Sequence, residues 1–149
     1  MAISPYALNV CANLIIRRGD EVLLGLRQNT SFGNGFYSII SGKVEEGEPV
    51  HHTAIREAKE EVGVIIQEDN LVFHMLLQTQ EADGMHISPF FIVDRWEGDI
   101  INNEPDKCGR IAFFSLNNLP KNILPYVASA LAYLQQPSNH RYYRFIDFR

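Results

Sequence analysis

The chain has 149 residues, of which 46% are hydrophobic and 21% are charged, and its net charge is −5. This length and composition are typical of one globular domain, so we expect residues 1–149 to form a single unit. The acidic balance argues against DNA or RNA binding, which generally needs a basic surface, and no apolar run is long enough to span a membrane. Cys11 and Cys108 show neither a metal-binding spacing nor a disulfide framework, and the start of the chain lacks a signal-peptide pattern. We therefore expect a cytoplasmic protein.

The first forty residues predict three strands. Leu8–Ile16 and Glu21–Leu26 are mostly apolar and are predicted to be strands, and the turn at 18–20 joins them as a hairpin. The mostly polar stretch 28–35 is predicted to be a loop, and Phe36–Ile40 a third, short strand.

A helix is predicted for Pro49–Val62. Apolar residues recur every four positions from Val50 to Val62, which gives the helix one apolar side. Pro49 suits the first helical turn because its missing N–H is not needed there, and Gly63 suits the end. The preceding stretch, residues 41–47, contains two glycines and is predicted to be a loop.

The second half predicts strands at Leu71–Gln80, His86–Trp96 and Arg110–Leu116, and a closing amphipathic helix at Asn122–Gln136. Pro89 predicts an edge position or a bulge for the strand that contains it. Asn122 is interpreted as the N-cap of the closing helix. Strands interspersed with two helices favour an α/β fold in which helices cover both faces of a mixed sheet.

Three carboxylates share one face of the first predicted helix. Glu57, Glu60 and Glu61 stand at positions i, i+3 and i+4, where like charges repel by a few tenths of a kcal/mol per pair. A hard divalent cation would offset this repulsion, since Mg²⁺ is held in proteins by carboxylates together with substrate phosphates. The spacing therefore predicts a site for Mg²⁺, with Mn²⁺ as a possible substitute.

The stretch from Gly42 to Val64, GKVEEGEPVHHTAIREAKEEVGV, resembles the Nudix box. In that pattern a glycine is followed after five residues by a glutamate, and after seven more by Arg-Glu-aliphatic-x-Glu-Glu-x-Gly-aliphatic. Each spacing is met here, although Ala58 is small for its position. Chance would produce these matches at about one in 10⁸ start positions. The resemblance implies an α/β/α sandwich with a mixed sheet, and hydrolysis of nucleoside diphosphate linkages.

The resemblance also implies roles for individual residues. Glu57, Glu60 and Glu61 are expected to ligate Mg²⁺, with Glu57 as a ligand or as the base that activates water. The backbone oxygen of Ser41 and the carboxylate of Glu104 are the further metal ligands expected.

Glu48 and Arg56 complete the expected catalytic set as an ion pair that braces the loop against the helix. Asp106 is the alternative to Glu104 on the loop that follows the sheet's second hairpin.

The arrangement is most similar to the MutT-like group of the family, which hydrolyses nucleoside triphosphates. Arg27 is expected to contact phosphate, and Asn122 to contact the base, although its interpretation as an N-cap competes with that role. Phe32 and Tyr37 are expected to offer rings on which a base can stack, and core packing is the alternative.

Two other functions stay open at this point. One is hydrolysis of another nucleoside diphosphate derivative, such as ADP-ribose, a nucleotide sugar or a dinucleoside polyphosphate. The other is a nucleotide-binding module without activity. No pair of histidines has the helical spacing of four that is typical of a metal site, and His51 and His52 are interpreted as exposed residues of the first helical turn. A homodimer is possible, because most soluble oligomers are symmetric dimers.

Overall fold

A computed structural model describes residues 8–136 and 142–149. The elements in chain order are β1 (Leu8–Arg18), β2 (Glu21–Arg27), β3 (Tyr37–Ser38), β4 (Ile40–Lys43), α1 (Val50–Val62), β5 (Val72–Glu81), β6 (Gly84–Val93), β7 (Cys108–Ser115), α2 (Pro125–Ala132) and β8 (Tyr143–Asp147). Short 3₁₀ helices lie at Glu68–Asn70 and Tyr133–Gln135. Neither of the described α-helices has the length and hydrophobicity that crossing a membrane requires.

The strands form one mixed sheet in the order β3-β2-β1-β6-β5-β8, with β4 paired to β1 and β7 paired to β2. The β1–β6 and β5–β8 pairs are parallel, and the other pairs are antiparallel. The position of β4 beside β1 matters most for the site, because it brings the start of the glutamate-rich segment against the centre of the sheet.

Helices cover both faces of the sheet. Successive residues of β1 point to opposite faces, and Leu14, Ile15 and Ile16 are all buried because each face is covered. Leu14 and Ile16 belong to the core beneath α1, whereas Ile15 belongs to the core beneath α2. The predicted α/β/α sandwich with a mixed sheet is therefore confirmed.

The first helix begins one residue later than predicted. Pro49 is the N-cap, and α1 starts at Val50. Gly63 ends the helix with φ at +76°, and its N–H donates to the carbonyl of Lys59 at 3.1 Å. A residue with a side chain is strained at this φ, which explains why glycine follows the helix.

The prediction that Asn122 caps the second helix is wrong. The N-cap is Leu124, and α2 starts at Pro125. Asn122 is instead held beside β3, because its side chain donates to the carbonyl of Gly35 at 2.8 Å and its own carbonyl accepts from the N–H of Tyr37 at 2.7 Å. The helix that was predicted to reach Gln136 ends at Ala132 and continues as a 3₁₀ helix.

Other strand boundaries also differ from the prediction. The strand predicted at Phe36–Ile40 is divided into β3 and β4, and the loop predicted at 41–47 begins as the end of β4. Pro89 lies in β6, which has neighbours on both sides, so the edge prediction is wrong. Its missing N–H falls in a gap of the β1–β6 ladder, between the Val10–Ile87 and Asn13–Phe90 pairs. The register shift nearby lies in β5, between Phe73 and Met75.

The C-terminal segment, which the sequence left as a tail, adds a strand to the sheet. β8 runs parallel to β5 at the sheet edge, and the hydroxyl of Tyr143 donates to the side chain of Gln78 at 2.7 Å. Residues 137–141, which open the predicted tail, lie outside the described residues.

Candidate active site

A cavity of about 600 Å³ lies between α1, the strands β2 and β4, and the loop that precedes β7. Its walls carry charges of both signs. The acidic and basic side chains that line it are Arg27, Glu57, Glu60, Glu61, Glu104 and Lys107. The sequence separates these residues by up to eighty positions, and the fold brings them to one place.

Glu57 lies directly against the backbone of Gly42. A side-chain carbon at position 42 would be 2.1 Å from the carboxyl carbon of Glu57, far inside van der Waals contact. The Arg56 guanidinium donates to a carboxylate oxygen of Glu57 at 2.9 Å. Burial raises the pKa of Glu57, and the positive charge of Arg56 opposes that shift. Glycine at position 42 is therefore what allows this carboxyl group to reach the cavity.

Glu61 is the most buried of the box carboxylates. The backbone N–H of Ser41 donates to its Oε2 atom at 3.3 Å. Burial is the main cause that raises the pKa of Glu61 well above its usual range, and the negative charges of Glu57 and Glu104 add to the shift. Glu104 thus lies close enough to act electrostatically on the box, although it follows Glu61 by more than forty residues.

Arg56 joins the loop before α1 to the helix itself. Its Nε and Nη2 atoms donate to the two carboxylate oxygens of Glu48 at 2.8 and 3.0 Å. Nη2 also donates to the carbonyl of Lys43 at 3.2 Å, and the hydroxyl of Thr53 donates to Glu48. The hydrogen bonds from Arg56 and Thr53 lower the pKa of Glu48 to about 2. Such a bidentate pair fixes orientation as well as charge.

Glu60 is more exposed than Glu57 and Glu61. Its carboxylate accepts weak hydrogen bonds from Nη1 of Arg56 at 3.3 and 3.4 Å, and about half of its side chain is open to solvent. Because these bonds are long and exposed, they are weak restraints on the carboxylate.

The donor set of the cavity fits a hard divalent cation. Four carboxylates line the cavity, and one of them, Glu61, accepts a hydrogen bond from the backbone and has a pKa that is raised first by burial and then by the negative charges of Glu57 and Glu104. Among the described residues, the box carboxylates do not form a set of three whose oxygens all lie within 4.8 Å of one another. Mg²⁺ tolerates such a spread, since it typically keeps several waters and takes one or two carboxylates together with substrate oxygens.

Of the residues expected to bind substrate, Arg27 lines the cavity, and Phe32 lies against Arg27. The guanidinium of Arg27 lies over the ring of Phe32 at 4.3 Å from the centroid. Nε of Arg27 also donates to the carbonyl of Phe32 at 3.1 Å. Phe32 is 57% exposed, so a base can stack on the part of its ring that Arg27 does not cover.

Tyr37 and Asn122 are not among the residues that line the cavity. Tyr37 is 7% exposed and packs in the core against Phe114, with ring centroids 4.9 Å apart. The Asn122 side chain is engaged with Gly35, as described above. Asp106, the alternative to Glu104, is likewise absent from the lining.

Lys107 lines the cavity and was not singled out from the sequence. It lies three residues after Glu104, in the segment Glu104-Pro105-Asp106-Lys107. Nothing local marks this lysine, because its approach to the box depends on contacts between distant loops. The backbone N–H of Gln28 donates to the carbonyl of Lys107 at 2.9 Å, and the side chains of Gln28 and Asn29 donate to the carbonyls of Pro105 and Asp106 at 2.8 and 2.9 Å.

Comparison with known proteins agrees with this arrangement. The sequence profile of the NUDIX domain matches residues 6–134. An ADP-ribose pyrophosphatase from Methanocaldococcus jannaschii is 35% identical over 112 residues, which are 75% of this chain and 64% of that protein. The NAD-capped RNA hydrolase NudC from Stutzerimonas stutzeri is 31% identical over 121 residues, which are 81% of this chain and 41% of that protein. The chain thus spans less than two thirds of the length of these relatives.

Solved structures show the same fold. A MutT Nudix hydrolase from Burkholderia pseudomallei superposes with a TM-score of 0.78 at 23% identity, over 85% of this chain and 97% of that one. A MutT protein from Methanosarcina mazei superposes with a TM-score of 0.75 at 16% identity, over 91% and 99% of the two chains. The profile match over most of the chain shows that this protein belongs to the Nudix family.

Proposed function

We propose that this chain is a Mg²⁺-dependent pyrophosphohydrolase that converts nucleoside triphosphates into nucleoside monophosphates and pyrophosphate, with Mn²⁺ as a substitute metal. The observation that supports it is one cavity that holds a group of carboxylates together with Arg27 and Lys107. Carboxylates alone would repel a polyphosphate. The positive side chains of Arg27 and Lys107 would pair with the phosphate oxygens, while the carboxylates would bind the metal.

Glu60 and Glu61 would be the principal metal ligands, with the backbone oxygen of Ser41 and the carboxylate of Glu104 as further ligands. Glu57 would be either another ligand or the base that activates water. Bound there, Mg²⁺ would neutralise phosphate oxygens and lower the pKa of a water molecule. Arg56 and Glu48 keep the loop and the helix in a fixed relation, so the carboxylates need not reorganise when the substrate binds.

The hydrolysis itself is a substitution at phosphorus. A water oxygen forms a bond to one phosphorus of the diphosphate bridge, the bridging P–O bond breaks, and a carboxylate takes the proton of the water. Glu57 is our candidate for that base. Its pKa is raised by burial, which brings it towards the neutral range where a general base works well.

The aromatic ring of Phe32 is our candidate surface for the base of the nucleotide. It is exposed at the side of Arg27, which lines the cavity. If the base stacked there, the phosphates of the nucleotide would point towards Arg27 and Lys107. Tyr37 is not retained in this role because it is buried in the core.

A second candidate is hydrolysis of a nucleoside diphosphate joined to a sugar. The relative from M. jannaschii, 35% identical to this chain, is named an ADP-ribose pyrophosphatase. The same carboxylates and cations would act on that diphosphate bridge, and the difference between the substrates would lie beyond the second phosphate. Capped RNA, to which the name of the S. stutzeri relative refers, is less favoured because the chain carries a net charge of −5.

Product identity separates the candidates. Purified protein would be incubated with Mg²⁺ or Mn²⁺ and ribo- or deoxynucleoside triphosphates, ADP-ribose, NADH and dinucleoside polyphosphates. Pyrophosphate and a monophosphate from the triphosphates would support the first candidate. AMP and ribose 5-phosphate from ADP-ribose, without triphosphate turnover, would overturn it in favour of the second. Tight nucleotide binding without turnover of any substrate would indicate a binding module.

A further inference from the structure

Two histidines and a glutamate converge on the surface beside the first turn of α1. Nε2 of His51 lies 2.7 Å from one carboxylate oxygen of Glu68, and Nε2 of His52 lies 3.4 Å from the other. The ring centroids of the histidines are 4.4 Å apart. Each residue offers one metal-binding atom, and these three atoms all lie within 4.8 Å of one another.

These separations suit a small, four-coordinate metal ion. Bonds of 2.0–2.1 Å in a tetrahedral zinc site place ligand atoms about 3.3 Å apart. The two distances of 2.7 and 3.4 Å run to different oxygens of Glu68 and lie on either side of that value, so a rotation of the carboxylate would bring one oxygen to a metal held by both imidazoles. The side chains are 34%, 50% and 60% exposed for His51, His52 and Glu68, which leaves room for a water molecule in the fourth position.

The donor types separate this cluster from the active-site cavity. Two imidazole nitrogens and one carboxylate favour a borderline metal such as Zn²⁺, whereas an all-oxygen set favours Mg²⁺. None of the three residues lines the cavity. We propose that His51, His52 and Glu68 form a second metal site, which binds one Zn²⁺ ion and is distinct from the site that binds the nucleotide.

A metal at this site would connect the first turn of α1 to the segment that follows α1. His51 and His52 belong to the first turn of α1, and Glu68 begins the 3₁₀ helix that follows α1. In the free protein the carboxylate is already drawn to both rings, and their hydrogen bonds lower the pKa of Glu68. Zinc would replace these exposed hydrogen bonds with coordinate bonds and would hold the start of α1 to the segment after its end.

A second group of side chains, at the other end of β5, provides an internal control. Glu81, Asp83 and His86 also offer three atoms within 4.8 Å of one another, at the turn between β5 and β6. That group has one imidazole and two carboxylates, so its affinity for zinc is expected to be lower than that of the histidine pair.

The test is zinc binding by untagged protein, measured by competition with a chromophoric chelator. Excess Mg²⁺ is added so that it competes for the carboxylates of the cavity. We expect one tight Zn²⁺ per chain, and at least tenfold weaker binding in His51→Gln, His52→Gln and Glu68→Gln. His86→Gln should keep the affinity of the wild type. Circular dichroism would establish that each variant is folded.

A second readout does not depend on activity. Co²⁺ bound in place of Zn²⁺ should give the visible absorption of a four-coordinate site, and this absorption should be lost in His52→Gln. Zinc should also raise the melting temperature of the wild type but not that of Glu68→Gln. Absence of tight zinc binding by the wild type, or wild-type zinc affinity in all three variants, would overturn the proposal. Neither result bears on nucleotide hydrolysis, which rests on different residues.

Discussion

The carboxyl group of Glu57 occupies the space that a side chain at Gly42 would need. An added carbon at position 42 would lie 2.1 Å from the carboxyl carbon of Glu57. The strand β4 carries Gly42 beside the centre of the sheet, and α1 carries Glu57, so neither segment can move away without disturbing a core. The glycine that opens the box is therefore required by the position of one glutamate.

Gly42→Ala is predicted to displace Glu57 by about 1 Å or more and to reduce kcat on the order of 100-fold, because catalytic geometry tolerates little misplacement. Steady-state kinetics would measure the loss. Gly47→Ala is the contrasting variant. It meets no neighbouring atom, but its φ is +75°, so it should lower the melting temperature and keep kcat per folded molecule. Unchanged kcat in Gly42→Ala would contradict the placement of Glu57.

Glu61→Gln is predicted to have opposite effects on activity and stability. Activity should fall by two orders of magnitude or more, because a metal ligand is lost. Without metal, the variant should melt at a higher temperature than the wild type near neutral pH, since a buried carboxyl group beside Glu57 and Glu104 becomes neutral. Glu46→Gln, in the exposed loop before α1, should change neither property. The proposed metal role would be wrong if Glu60→Gln and Glu61→Gln both kept full activity.

Lys107→Ala is predicted to raise KM about tenfold or more and to change kcat little. The variant would lack a charge-assisted hydrogen bond from Lys107 to a phosphate, which is worth about 1.5–3 kcal/mol. This bond would be lost equally in the bound substrate and in the transition state. Initial rates over a range of substrate concentrations would separate the two constants. Lys121→Ala serves as the control because Lys121 is exposed and is not among the residues lining the cavity. An equal KM for both variants would remove Lys107 from the substrate site.

The Glu48–Arg56 pair predicts a loss of stability in acid. The folded protein holds the pKa of Glu48 at about 2, whereas an unfolded glutamate titrates near 4.3. The stabilisation is therefore complete above about pH 4.3 and declines as the pH falls towards 2. Urea unfolding of the wild type and of Glu48→Gln, at pH 6 and at pH 3, would measure it. The difference in the free energy of unfolding between the two proteins should be smaller at pH 3 than at pH 6. An equal difference at both pH values would show that the charge of Glu48 contributes nothing to stability.

The periodic parts of the fold could be read from the sequence because their signals are local. The four-residue repeat of apolar side chains and the glycine at position 63 located α1 to within one residue. The long strands were found for the same reason, since two covered faces produce near-continuous apolar runs. The spacing of the box glutamates also predicted that the helix carries them on one side, and Glu57, Glu60 and Glu61 do line one cavity.

The remaining features depend on partners that are distant in the chain. β8 is a strand because β5 lies beside it, and its own sequence, rich in arginine and aromatic residues, does not indicate that neighbour. Asparagine is a common N-cap residue, yet the side chain of Asn122 is held by a hydrogen bond to the carbonyl of Gly35, some ninety residues away in the chain. The pairing of His51 with Glu68 crosses seventeen residues and a change of chain direction, so a search for helical spacing could not find it.

The two loops at the mouth of the cavity are joined by hydrogen bonds from Gln28 and Asn29 to the backbone around Asp106. The polar loop after β2 and the acidic loop before β7 therefore constitute one composite rim. A change of substrate by loop exchange would fail if one half were transplanted alone, because the transferred loop would lose the backbone contacts that shape it. Divergence of substrate range on this scaffold should accordingly involve paired changes, in which residues near 28 and residues near 105 are replaced together.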